Sequence, residues 1–260
     1  FYCWGFLCPF GAVKGGQSHE NNQYWIYDET EGKYKIETYH NGQLGAEIDT
    51  IEGCQMGTID IAVVNQSTIG NFINDFQALD IPYLITSTEQ ADAVFLGDIG
   101  TRFLDKLSGV QLYGLGIWES GFRNLTNSKR DVNSVDDVAG LKIRTMENQV
   151  HIAVWKAMGA DATPMSWGEA YTALQQGALD GQENPATVIL TNNVAQVNNH
   201  LAMTEHAYST VFLVMSPETW ASFDDETKET FKRVMAECSI EEREISRKMD
   251  SEAVAELEKQ

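Results

Sequence analysis

The side chains able to do covalent or acid–base chemistry are few and scattered. His19, His40, His151, His200 and His206 have no spacing that a metal site uses, and a lone histidine in a globular chain is more often a hydrogen-bonded or surface residue than a catalyst. Cys3 and Cys8 lack the two-residue separation of zinc or thioredoxin chemistry. Cys54 and Cys238 fall inside helical patterns, where free cysteine acts as a small buried hydrophobe. Asp131, Asn133 and Asp136 begin like a calcium loop, but the glycine and closing glutamate at the required offsets are missing. There is no G-x-G-x-x-G opening a helix, no G-x-x-x-x-G-K-[ST], no H-E-x-x-H and no G-x-S-x-G. Nucleotide-binding and hydrolase chemistry therefore fall away, and no resident cofactor is expected.

The elements that would position any site must come from an acidic, ordinary globular chain. Lys+Arg is 18 and Asp+Glu is 38 in 260 residues, a net charge of -20, so nucleic acid and anionic membrane surfaces are poor partners. That acidity does not select the ligand, because a cleft can carry local positive charge inside a negative molecule. A hydrophobic share of 43% with 5 Pro excludes disordered and low-complexity classes. At this length roughly 70 to 75% of the unfolded surface is hidden on folding, enough for one large domain or two lobes. No run of apolar residues is long enough to span a bilayer, so no direct membrane insertion is expected. Phe1 to Val13 resembles a signal-peptide core without an initiator Met or basic leader, which reads as a mature or trimmed chain.

Strand and helix signals alternate. Lys33 to Tyr39 alternates like a strand, Asn41-Gly42 turns the chain, and Ile48, Ile51 and Cys54 mark a helix that Gly57 ends. Thr58 to Val64 and Val110 to Ile117 read as buried strands, and Leu141 to Arg144 as a further one. Val150, Ala153, Val154, Ala157 and Met158 form one face of a helix over Asn148 to Gly159. Trp167 to Gln176 is helical with Gly177 as its stop; Leu179 to Gln182 is a short strand, and Pro185 opens another helix. Ala207 to Met215 is a strand, and from Asp225 to the end the pattern is helical, about 50 Å long if unbroken. A helix that long outreaches one small lobe and would bridge two.

The stretches FRNLTNSKR, GLKIRTMEN and AMGADATPMSWGEAYTALQQGALDGQENP, preceded by NGQLGAEIDTIEGCQMGTIDIAVVN, carry a resemblance. The chain from about Gly32 onward is similar to the solute-binding proteins of tripartite ATP-independent periplasmic (TRAP) transporters, the DctP-like group. GLKIR, TPM and DGQENP at fixed intervals form a far longer coincidence than one glycine-rich loop. The resemblance implies an α/β, type II periplasmic-binding-protein-like fold: two lobes with a ligand cleft between them and a long C-terminal helix bridging both. Lobe I would comprise 1–122 and 210–260, lobe II 123–209.

It also implies the site. Arg144, ending its strand where an open α/β sheet meets its ligand crevice, matches the family's main carboxylate clamp, and its guanidinium fork suits a bidentate carboxylate; a surface salt bridge is the alternative. Arg123 matches the second ligand arginine, the alternative being a hinge residue paired with an acidic neighbour. Asn184, before Pro185, matches an amide that contacts ligand, or is a plain turn residue. Asn65 matches a polar position from the other lobe. Trp167 corresponds to an aromatic cover over the ligand, with a core tryptophan as the rival. Tyr208 and Ser209 are weaker candidates on the strand re-entering lobe I.

Two departures stand out. Residues 1–31 do not read like the family's first strand and helix, and Gly15-Gly16 would weaken a helix there, so a ligand contact near Cys8 or Pro9 is not assigned. Gln260 stops where relatives continue, and the chain is expected to be incomplete. The implied function is a non-enzymatic periplasmic carrier of a Gram-negative bacterium. It captures an organic acid by hinge closure and hands it to small and large TRAP membrane permease subunits. A C4-dicarboxylate such as malate or succinate comes first as ligand, then sugar acids and 2-oxo acids. An enzyme on the same fold and a ligand-sensing lobe are the alternatives.

Overall fold

A computed structural model of the chain describes residues 2–5, 26–40 and 42–259, with side chains from residue 26 onward. The readings at Cys8, Pro9, Gly15-Gly16, His19 and Asn41, and at the side chain of Cys3, lie outside the described residues.

Strands β1 (Tyr2–Gly5) and β2 (Glu37–His40) precede helix α1 (Glu47–Gln55) and strand β3 (Ile61–Asn65). Five consecutive buried residues, IAVVN, make β3 the two-sided buried strand that its β-branched run predicts. One helical turn, α2 (Gln66–Ile69), then leads into the 3-10 segment Asn74–Asp80, helices α3 (Thr88–Phe95) and α4 (Asp98–Lys106), and the long strand β4 (Tyr113–Asn127). Strand β5 (Lys142–Thr145), helix α5 (Gln149–Ala157) and strand β6 (Asp161–Pro164) follow. Next come α6 (Trp167–Gln175), β7 (Gly181–Asn184), α7 (Ala186–Thr191), β8 (His200–Met215), α8 (Pro217–Ser222) and α9 (Asp225–Leu257).

The chain forms two units. Unit 1 gathers 1–65, 91–119 and 210–246; unit 2 gathers 66–90, 120–209 and 247–260. In unit 1, β1 pairs parallel with β2 and β3, and β3 pairs antiparallel with β8, Ile61 opposite Met215. Ile61, Val63, Leu213 and Met215 from these strands bury with Phe231, Val234, Met235 and Cys238 of α9. In unit 2, β7 lies between β4, antiparallel to it, and β5, parallel to it, and β6 closes the order β4-β7-β5-β6. Leu125, Ile143 and Trp155 anchor one core cluster there; Leu174, Leu179 and Ile189 anchor a second.

The local signals mark the pieces of unit 2 that later matter. Asn148 caps α5, its side-chain carbonyl accepting from the N–H of Val150 at 2.8 Å and of His151 at 3.2 Å. Gly177, at φ +69°, ends α6 in the left-handed region that a side chain would disfavour. Gly181 opens β7, where a Cβ would sit 2.3 Å from the Thr126 carbonyl oxygen and 2.9 Å from Ile143 Cδ1. Only glycine lets β7 slot between β4 and β5.

Three expectations need correction. The boundaries 1–122 and 210–260 for lobe I leave 66–90 on the wrong side, since that segment packs within unit 2; residues 247–260, the end of the helix expected to bridge both lobes, pack there too. The reason is polar: Gln66 Nε2 donates to the carbonyls of Leu79 and Tyr208, Asn71 Nδ2 to the carbonyl of Glu147, and Thr187 N–H to Asp250. Strands β4 and β8 are 15 and 16 residues long, longer than Val110–Ile117 and Ala207–Met215: β4 runs on through the buried polar Glu119, Arg123, Asn124, Thr126 and Asn127, and β8 begins earlier, at the half-buried His200. Lys33–Tyr39 is a strand only from Glu37.

Candidate functional site

Five of the candidate residues sit on strands of unit 2 and one opens a helix there. Arg144 is the third residue of β5 and only 4% exposed. Its Nε donates to the Met165 carbonyl at 2.9 Å, and its guanidinium lies 5.5 Å from the ring centroid of Trp167, the first residue of α6. Trp167 Nε1 donates to Asn192 Oδ1 at 3.3 Å, which fixes the ring. The two residues thus form one unit: a guanidinium held by a carbonyl and lying over an aromatic ring.

Arg123, on β4, is committed to Glu183 of β7. Its Nε donates to Glu183 Oε2, its Nη2 to Oε1 at 3.0 Å and to the Glu183 backbone carbonyl at 2.7 Å. Its Nη1 donates to Ser209 Oγ at 3.3 Å, so the structure joins two of the candidates directly. The acidic neighbour weighed as the alternative for Arg123 is therefore Glu183. Asn184 is buried, with Nδ2 donating to Gln182 Oε1 at 2.6 Å. Tyr208 packs edge-on against Phe122 with centroids 5.0 Å apart, and its carbonyl accepts from Gln66. Asn65 belongs to unit 1, buried at the end of β3, its backbone N–H donating to Glu47 Oε2 at 3.4 Å.

Sequence reasoning missed the charged network around Glu183. His151 on α5 places Nδ1 3.5 Å from Glu183 Oε1 and Nε2 3.4 Å from Asp80 Oδ1. Asp80 ends the 3-10 segment and also accepts from Ser67, Gln66 and Asn148. His206 Nε2 lies 3.1 Å from Glu183 Oε2, with Thr204 Oγ1 2.8 Å from its Nδ1. Burial alone would raise the Glu183 carboxyl; Arg123 and the two histidines outweigh it and hold the group well below the usual carboxylate range. Burial alone would likewise lower His151, but the hydrogen bonds its ring donates to Asp80 and Glu183 push it up to about 9. The one signal that could have found Glu183 is β7 itself: GQEN is buried at every position, and a buried polar strand must be satisfied by side chains from elsewhere. Nothing in the sequence ties Asp80 to His151, 71 residues apart.

Among the described residues, no group of three or more His, Cys, Asp or Glu could hold a metal ion, and no helix is long and apolar enough to cross a membrane. What the arrangement offers is recognition: a fixed guanidinium on an aromatic face, beside buried amides and a balanced charge network.

Residues 18–260 match the family described as bacterial extracellular solute-binding protein, family 7. A solute-binding protein of Verminephrobacter eiseniae is 43% identical over 187 residues, 72% of this chain and 56% of that protein. The chain thus spans little more than half the length of this curated relative. Two solved structures superpose with TM-scores of 0.89. One is the sugar acid binding protein of Advenella mimigardefordensis in complex with galactonate, at 33% identity, covering 92% of this chain and 77% of that one. The other is a TRAP periplasmic solute-binding protein of Polaromonas bound to D-erythronate, at 37% identity and 92% and 78% coverage.

Proposed function

The chain belongs to family 7 of the bacterial extracellular solute-binding proteins, and from that membership we propose that it is the periplasmic, non-catalytic carrier of a TRAP transporter. It captures a small organic acid and delivers it to the small and large membrane subunits. The observation that carries the reading is Arg144. Its Nε is anchored on the Met165 carbonyl and its guanidinium lies over the Trp167 ring, an arrangement that suits a planar donor for a carboxylate. A pre-organised planar donor loses less freedom on binding than a flexible one. Asn184 supplies an amide for hydroxyl groups on the rest of the solute. Arg123 acts through Glu183 and Ser209 rather than as a second clamp.

The solutes named for the two structural neighbours, galactonate and erythronate, support an organic acid as ligand here. A thermal-shift panel tests the proposal. A ligand that binds only the folded chain stabilises it by about 2.7 kcal/mol at one hundred times Kd. Organic acids should raise the melting temperature while neutral sugars and amines leave it unchanged. A shift with glucose and none with any carboxylate would overturn the reading.

A further inference from the structure

A row of polar side chains crosses one face of the sheet in unit 2. Residues two apart on a strand share a face, as do residues directly opposite on neighbouring strands. Gln182 and Asn184 of β7 therefore lie with Thr126 and Asn124, which oppose them on β4, and with Arg144, which opposes Gln182 on β5. The direction of each hydrogen bond between Gln182, Asn184, Thr126 and Asn198 follows from one fixed end. Asn198 Nδ2 lies 2.9 Å from the Val197 carbonyl and 3.1 Å from that of Asp180. A carbonyl only accepts, so Oδ1 is the Asn198 atom 3.1 Å from Thr126 Oγ1. The single Thr126 proton goes to that oxygen, because the other acceptor, the Gln182 carbonyl, is 3.5 Å away. Thr126 Oγ1 is then an acceptor toward Gln182 at 2.8 Å, which makes the facing atom Nε2 and gives Oε1 to Asn184. Asn184 must answer with Nδ2, at 2.6 Å. Asn124 takes no part: its Oδ1 accepts from the Glu205 N–H and its Nδ2 donates to the Phe122 carbonyl.

We propose that Gln182 is a positioning residue: through the relay Asn198–Thr126–Gln182 it fixes the Asn184 amide so that Oδ1 is left to accept from a hydroxyl of the solute. The proposal rests on the organic-acid reading above and sharpens it, since the solute is then a hydroxy acid that donates a proton to Asn184. Among the described residues Asn184 Oδ1 accepts no hydrogen bond, and the residue is only 7% exposed. A buried acceptor left unmet is costly, and an oxo or ether oxygen placed against Oδ1 would set acceptor against acceptor. An amide free to turn could present nitrogen or oxygen to suit either group. One held by Gln182 cannot, and because the relay begins at two backbone carbonyls its direction does not depend on the solute.

Calorimetry with galactonate, erythronate and their deoxyfluoro analogues, each lacking one hydroxyl, tests this, because fluorine fills the place of a hydroxyl but cannot donate. In the wild type the analogue that meets Asn184 should bind at least tenfold more weakly than its parent acid. Thr126→Val breaks the relay without touching Gln182 or Asn184, and Gln182→Met removes its last link. Each should bring that one analogue within threefold of its parent and leave the ratios of the others unchanged, whereas a merely structural role would weaken every acid alike. Thr126→Ser keeps the hydroxyl and should keep every ratio. Wild-type ratios throughout in a folded Thr126→Val or Gln182→Met overturn the proposal. If neither variant folds, neutron diffraction from the deuterated wild type decides: deuterium on the Asn184 atom facing Gln182 supports the relay, and an oxygen there overturns it. Binding of neither parent acid to the wild type counts against the organic-acid reading, while the nuclear density still decides the relay, so the two failures stay distinguishable.

Discussion

The most direct physical consequence of the buried network is a dependence of stability on alkaline pH. His151 has a folded value of about 9 against an ordinary 6.5, raised by Asp80 and Glu183 against the opposing pull of burial. A group whose pKa is higher in the folded state binds its proton more tightly there. Its contribution is fully present below 6.5 and is lost as pH rises through about 9. The difference of about 2.5 units at about 1.36 kcal/mol each gives roughly 3 kcal/mol at most. The assay is urea unfolding of wild type and His151→Gln at pH 6, 7.5, 9 and 10 at constant ionic strength. Glutamine keeps a donor near Asp80 but cannot titrate, so subtracting its curve removes the other ionising groups. Wild type should lose about 2 to 3 kcal/mol more than the variant between pH 6.5 and 10. Parallel losses in the two proteins would refute the charge assignment of His151.

Arg144→Lys keeps the charge but gives up the fork and its Met165 anchor, so acid binding should weaken nearly as much as in Arg144→Ala, by about 2 to 5 kcal/mol in calorimetry; a lysine variant within threefold of wild type would sink the clamp assignment. Gly181→Ala drives a Cβ against the Thr126 carbonyl at 2.3 Å and should destabilise the protein by about 1 to 3 kcal/mol in chemical denaturation, typical of an overpacked core; unchanged stability contradicts the packing described. Cys54 and Cys238 are buried, and burial pushes the Cys238 thiol up to about 12. In a Cys3→Ser/Cys8→Ser background neither should react with a disulfide reagent until the chain is unfolded, and labelling of the native protein within minutes would count against it.

Local pattern made some elements legible and left others hidden. Helix α5 was readable because Asn148 supplies its cap and Val150, Val154 and Ala157 its apolar face; α6 was readable because Gly177 stops it. Arg144, Asn184 and Trp167 were singled out by the resemblance to a known family rather than by local pattern. Local pattern placed β7 two residues early, at Leu179 to Gln182, because GQEN is buried without being apolar, and it missed the extensions of β4 and β8, where polar residues interrupt the hydrophobic period. Segment 66–90 was misassigned because its place depends on bonds from Gln66, Ser67 and Asp80 to partners distant in sequence. Charge networks of that kind are three-dimensional facts, and spacing along a chain does not encode them.

The chain passes between its units after residues 65, 90, 119, 209 and 246. A ribosome releasing it from the N-terminus has delivered β1 to β3 by residue 65, yet their antiparallel partner in unit 1, Val211 to Met215, is not made until about 150 residues later. Unit 1 cannot close before α9 has emerged, and unit 2 waits longer still, because Asp250 completes the bonds to Thr187. Neither half can close while only its first segment has emerged. Both halves therefore stay open until the start of α9 has emerged.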